Sequence, residues 1–198
     1  LLAWWNYDMK MDADDNIHIV LQLVSLSEYS DIHFCDENGH DNGSGWYHFK
    51  ASFDDLLSDD PEEWNWEYSK VVTGAYTWCF SNPGGSSYIY DSQAQLAFDQ
   101  DDDQLVYVIA DLGVPGEENF EEGGQNWGAE WSQDIFIFRS EDNGESWWNP
   151  LNVSNTPSYI GDQYPLEEQY PHAPQWVMND EVYFVYQTPN WNWNELDD

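Results

Sequence analysis

Three times along this chain a short strand-like stretch runs into an acidic turn and out into a continuous apolar stretch. Met9–Asp12 leads through Ala13–Asn16 into Ile17–Leu21. Gln95–Asp99 leads through Gln100–Asp103 into Leu105–Ile109, and Pro174–Met178 leads through Asn179–Glu181 into Val182–Tyr186. Asp and Asn favour such turns because their side chains bond the local backbone and tolerate left-handed geometry. The outgoing strand of each copy is apolar on both faces, which predicts burial on both faces between stacked sheets. Met11, Phe98 and Trp176 occupy corresponding places, 87 and 78 residues apart.

Two copies continue into further strand-like stretches. Ser30–Phe34 precedes Cys35–Gly39 in the first, and Gln133–Phe138 precedes Arg139–Gly144 in the second. In the first copy Trp46–Phe53 follows as a fourth strand, with Tyr47, Phe49, Ala51 and Phe53 on one side and Trp46, His48 and Lys50 on the other. The repeating unit is therefore a four-stranded antiparallel meander with long insertions. Repeated radially, such sheets are the blades of a β-propeller. The expected fold is all-β, a partial propeller of about three to four blades. Its parts are a blade over 8–55, less defined strands over 64–92 (Tyr68–Phe80 and Tyr88–Tyr90), a blade over 93–154 and a partial blade over 172–198. Helical periodicity is weak throughout, and its best stretch, Asp54–Trp66, is short and acidic. Ser81–Ser87, Gly113–Gly128 and Asn155–Pro165 read as surface loops.

Charge narrows the function classes. Four Lys and Arg stand against 39 Asp and Glu, a net charge of −35. Phosphate binding needs clustered cations, so nucleic acid and anionic membranes are excluded as partners. Such charge often marks disorder. Here 18% of residues are aromatic, including 13 Trp and 13 Tyr, which indicates a folded body with an acidic coat. No stretch reaches the roughly 18 to 20 apolar residues of a membrane span. The chain opens with Leu1–Tyr7, core-like sequence, and reads as a segment of a larger chain or assembly. Mutual repulsion among the carboxylates costs stability that salt or divalent cations relieve, which suits a saline or calcium-containing setting. Cys35 and Cys79 lack metal or redox spacing; a disulfide and two buried thiols both fit.

The sharpest motif is Ser140-Glu141-Asp142-Asn143-Gly144-Glu145-Ser146-Trp147. It fits Ser-x-Asp-x-Gly-x-Thr/Ser-Trp throughout and resembles the Asp-box, or BNR repeat, of sialidase-like β-propellers. In that family the box is the turn between a blade's third and fourth strands. The resemblance implies a structural role for Ser140, Asp142, Gly144, Ser146 and Trp147. Gly144 supplies backbone freedom, Asp142 accepts turn N–H groups and Trp147 offers an apolar face. Asp36–Gly39 reads as a degenerate box. The run Asp134–Pro157, with Tyr170–His172 and Val182–Gln187, is similar to large secreted repeat proteins of marine bacteria exported by type IX secretion. That likeness implies an extracellular or cell-surface location.

Sialidases of this fold clamp the substrate carboxylate with three arginines, and this chain has one, Arg139. No G-x-S-x-G element supports a hydrolase triad. His18 and His33 read as packed or interstrand residues, and His172 as a structural hydrogen-bonding residue. No catalytic residue is named. For ligands, Asp12, Asp14, Asp99, Asp101 and Asp103 could converge on Ca²⁺, a hard cation taking about six to eight oxygens. The competing reading is a solvated acidic turn. Trp64, Trp66, Trp127, Trp131, Trp191 and Trp193 fall in or near polar loops, where aromatics stack on sugars, anchor partners or cover sheet edges. Asn42-Gly43-Ser44 and Asn152-Val153-Ser154 match the glycosylation sequon.

The expected function is a non-catalytic, secreted or surface-exposed module that binds a glycan or protein partner or serves as a scaffold. The alternatives are a fragment of a sialidase-like glycoside hydrolase whose catalytic residues lie outside this chain, and a structural subunit of an extracellular assembly.

Overall fold

The computed structural model describes residues 2–26, 32–33, 43–73, 93–118, 131–156, 169–179 and 181–188. The fold is all-β, built of antiparallel sheets, one of them curled into a half-barrel. Among the described residues the helical turns are two short 3₁₀ segments, Asp54–Leu57 and Pro61–Glu63. They occupy the stretch with the best helical pattern. Acidic residues crowd their first turns, Asp60 caps the second, and neither buries a residue.

The first sheet contains β1 (Leu2–Met11), β2 (Asn16–Leu26), β4 (Gly45–Ser52) and β5 (Glu67–Thr73), in that spatial order, with the short β3 (Ile32–His33) on the far end of β2. The second contains β6 (Ala94–Asp99), β7 (Val106–Glu118), β8 (Trp131–Ser140) and β9 (Leu151–Asn152). Every neighbour within these two meanders is antiparallel. β11 (Trp176–Val177) adds to β6 in parallel, and a separate ladder joins β10 (Gln169–His172) to β12 (Val185–Gln187).

The first two hairpins form where the sequence places them. Several other features differ. Residues 32–33 pair with the end of β2, and β4 is the strand that runs alongside β2 from Asn16 to Leu23. The fourth strand is β5, inside the less defined stretch 64–92. Residues 113–118, read as loop from their glycines and proline, extend β7, with Glu118 opposite Trp131. The third hairpin closes only at the Met178–Glu181 bridge, after which the chain leaves β11 and its β12 joins β10.

Register fixes how the copies correspond. In the first sheet Met11 faces Ile17 and Ile17 faces Ala51; in the second Phe98 faces Val106 and Val106 faces Ser140. Thus β4 corresponds to β8, Tyr47 to Phe136 and Phe49 to Phe138. The equivalent of the Ser140–Trp147 turn therefore follows Ser52, not Phe34, and Asp36–Gly39 lies outside the described residues. Trp176 sits opposite Phe98 in the parallel pair, and the Gln175 side chain donates to the Met11 carbonyl at 2.5 Å. The three corresponding first strands thus lie side by side.

The core lies between the two sheets. Val20 and Trp46 of the first sheet pack with Leu96, Phe98, Val106, Val108, Ala110, Phe136 and Phe138 of the second. The opposite side of the second sheet, with Tyr107, Ile109 and Ile135, is covered by Ala173, Val177, Val182 and Phe184. The middle copy is buried on both faces, as its sequence requires.

Candidate functional site

Two structural features collect the residues singled out by sequence: the Ser140–Trp147 turn and the meeting of the two acidic hairpin turns. A buried pair of histidines connects them.

The turn is held from within. The Ser140 hydroxyl donates to Asp142 Oδ1 at 2.7 Å and accepts from Gly144 N at 2.8 Å. Asp142 in turn accepts from Ser146 N at 2.8 Å and from the Ser146 hydroxyl at 2.5 Å. Burial alone would raise the Asp142 pKa. The donors on Ser146, Ser140 and Glu145 outweigh it and hold the carboxyl below its ordinary range. Asn143 and Gly144 have φ of 55° and 88°, the left-handed region that favours glycine.

This turn also fastens one sheet to the other. The Trp147 indole N–H donates to Ser69 Oγ of β5 at 2.8 Å, and Ser69 donates to the Gly144 carbonyl at 2.5 Å. The Trp147 ring meets the His48 ring edge-on at 5.5 Å. Gly144 lies so close to His48 that a Cβ there would sit 2.2 Å from the ring's Cε1. A cavity of about 400 Å³ opens beside this contact, lined by Lys50, Glu67, Tyr68 and Glu145 among others.

His48 leads back to the first acidic turn. His18 Nδ1 and His48 Nε2 are 2.8 Å apart, and His18 Nε2 lies 3.0 Å from Asp12 Oδ2. A carboxylate accepts only, so His18 donates from Nε2 to Asp12, and its Nδ1 shares the second hydrogen bond with His48 Nε2. Both rings are buried on the side of the first sheet that meets the second. Burial lowers both pKa values. Asp12 partly offsets this for His18, while His48, also facing the charge of His18, is pushed down to about 3. The interstrand role expected of His18 is what the structure shows. Its pairing with His48 was not read from the sequence, although His48 stood on the same face as Trp46 in the alternation of β4.

Asp12 is the hub of its turn. Oδ1 accepts from Asp14 N at 2.9 Å and Asn16 N at 2.8 Å, and Oδ2 accepts from Asn16 Nδ2 as well as His18. Burial raises its pKa, but these donors outweigh that and leave it lowered. Asp99 plays the matching part, accepting from Asp101 N and Asp102 N on Oδ1. The two turns meet across a cleft of about 350 Å³, lined by Asp12, Asp14, Asp99, Asp101, Asp102 and Asp103 with Phe98 and Trp176 as its apolar wall. Across it Asp103 faces Asp14: hydrogen bonding with that carboxyl in the protonated form, then burial and the charges of Asp103, Asp12 and Asp15, raise the Asp14 pKa. The five aspartates named from sequence are therefore brought to one cleft. Among the described residues, no group of three or more His, Cys, Asp or Glu is arranged to hold a metal ion.

The remaining candidates are dispersed. Trp64 is exposed, its indole N–H fixed on the Ser58 carbonyl at 3.0 Å, and Trp66 is half-buried nearby. Trp131 opens β8. Trp127, Trp191, Trp193, Cys35, Cys79 and Asn42 lie outside the described residues. His172 is exposed at the end of β10. Arg139 pairs with Glu141 at 2.7 Å and lies over the Trp148 ring at 5.7 Å. Asn152, of the second sequon, donates to the buried Asp134 at 2.5 Å. No helix among the described residues is long and apolar enough to cross a membrane. No family model, no curated protein and no solved structure matches this chain.

Two outcomes are expected. Gly144→Ala destabilises the protein by at least about 2 kcal/mol in denaturant titration, because left-handed strain adds to the clash with His48. Stability also falls with acid. A histidine whose folded pKa is depressed contributes stability above its unfolded value near 6.5 and loses it toward the folded value, at a slope of up to about 1.4 kcal/mol per pH unit for each proton taken up on unfolding. The window from pH 6.5 to 5 isolates this effect, since most carboxylates titrate lower. Thermal melts across it should show a declining midpoint, and His48→Gln should flatten the decline.

Proposed function

We propose that this chain is a non-catalytic β-propeller-type module, secreted or displayed at a cell surface, which holds a glycan or protein partner on a rigid acidic scaffold. The observation that carries the reading is the side-by-side placement of the three corresponding strands around Met11, Phe98 and Trp176, with the Ser140–Trp147 turn fastening one copy to the previous one. An Asp-box in a propeller would do this work. Four titratable groups with shifted pKa values support a scaffold too: Asp12, His18, His48 and Asp142 hold turns or join sheets. The one arginine is engaged with Glu141 and Trp148, away from the cleft between the acidic turns.

Trp64, with its ring fixed by the Ser58 carbonyl, supplies an exposed aromatic face of the kind that stacks on a sugar. Calcium is proposed as the counter-charge at the acidic cleft. Asp12 and Asp99 are occupied in their own turns, so its ligands would come from Asp14, Asp101 and Asp103, where a cation would relieve the repulsion of the facing carboxylates.

Both parts have tests. Millimolar calcium should raise the thermal midpoint above that in chelator by more than sodium chloride of equal ionic strength does, and Asp103→Asn should abolish the difference. Equal shifts from the two salts would end the calcium proposal. On a glycan array the wild-type protein should bind a defined set of sugars. Trp64→Ala should lose them at unchanged thermal midpoint, whereas a blank wild-type array would remove the glycan-binding reading.

A further inference from the structure

The outgoing strands of all three copies are apolar on both faces, yet among the described residues only the middle copy has both faces covered. In β7, Val106, Tyr107, Val108, Ile109 and Ala110 are all buried. In β2 the side with His18 and Val20 is buried, and the side with Ile17, Ile19 and Leu21 is only partly covered. Cross-strand register extends that second side over the whole sheet. Tyr7, Met9 and Met11 stand opposite Leu21, Ile19 and Ile17, followed by Phe49 on β4 and by Tyr68 on β5, while Tyr47 beside them is buried. Tyr7 is 67%, Met9 57% and Tyr68 70% exposed.

By the register correspondence, this open face matches the face of the second sheet formed by Leu96, Phe98, Val106, Val108 and Phe138, which the first sheet covers. The contact is head-to-tail: one face of each copy receives the opposite face of the copy before it. The last copy shows the complementary opening. Val182 and Phe184 pack on the second sheet, while Tyr183 and Val185 point away, 55% and 68% exposed. Among the described residues, the first copy thus leaves its receiving face open and the last copy leaves Tyr183 and Val185 open.

We infer that the open face of the first sheet is a docking surface for a second copy of this chain, which seats the Tyr183–Val185 side of its last repeat against Tyr7, Met9 and Tyr68. The contact continues the interface already formed between the two sheets. It is heterologous, so copies would add in one direction, into a ring or a filament according to whether the rotation closes. Carboxylate repulsion opposes it, so salt favours it. The inference goes beyond the binding role proposed above: failure of glycan or calcium binding would leave it standing, and failure of self-association would leave that role standing.

Sedimentation velocity in molar sodium chloride tests it. The wild-type chain should associate with rising concentration and dissociate at low salt. Met9→Glu and Val185→Glu, both at exposed positions, should each remain monomeric, and an equimolar mixture of the two should form one-to-one dimers through the single intact contact. A wild-type monomer at every concentration, association of either variant like wild type, or a mixture that stays monomeric would overturn it. Should either variant fail to fold, hydrogen exchange on the wild type decides. Association should slow amides of β1, β5 and 182–187 while leaving β7 unchanged; equal protection at high and low concentration would refute the contact.

Discussion

The structure depends on covering apolar sheet faces that no single meander can cover for itself. Each meander carries apolar residues on both of its sides. The first sheet gives Val20 and Trp46 to the second, and the second gives Tyr107 and Ile109 to the segment after residue 173. Burying apolar area at about 25 cal/mol per Å² is the main favourable term for a chain whose carboxylates repel one another. Where the cover runs out, at Met9 and Val185, apolar side chains meet water.

The polar groups at this junction are arranged around that packing. His18 and His48 lie within the contact, and burial keeps both rings toward their neutral form. Their hydrogen bond, and the bond from His18 to Asp12, satisfy ring nitrogens that would otherwise be stranded without water. The same chain ties the acidic turn of the first hairpin to the ring on which Gly144 rests. Turn, histidine pair and sheet junction are thus one connected unit, and Gly144 is a glycine because the His48 ring occupies the space of a side chain.

Much of this was legible because it is local. The hairpins at 12–15 and 99–103 are written in Asp and Asn beside apolar runs, and the Ser140–Trp147 turn in residues no more than four apart that bond one another. What the sequence obscured is non-local. The run 30–34 resembles a third strand as well as 46–53 does, and only the pairing of His48 with Val20 and Phe49 with Ile19 selects β4. Gly113, Pro115 and Gly116 carry loop chemistry, yet pairing across to β8 extends the strand. The acidic turns read as either solvated turns or a cation site, and neither reading shows that Asp12 and Asp99 turn inward to hold their own backbones. The His18–His48 contact joins residues 30 apart and leaves no local mark.

The central claim is that the Ser140–Trp147 turn fastens the second copy to the first. A double-mutant cycle on Ser69→Ala and Trp147→Phe, measured by denaturant unfolding, tests it most directly, because the two residues are 78 apart in sequence and meet only if the sheets stack this way. The account predicts a coupling free energy of about 0.5–1.5 kcal/mol, the value of one partly buried hydrogen bond. Strictly additive effects would contradict it.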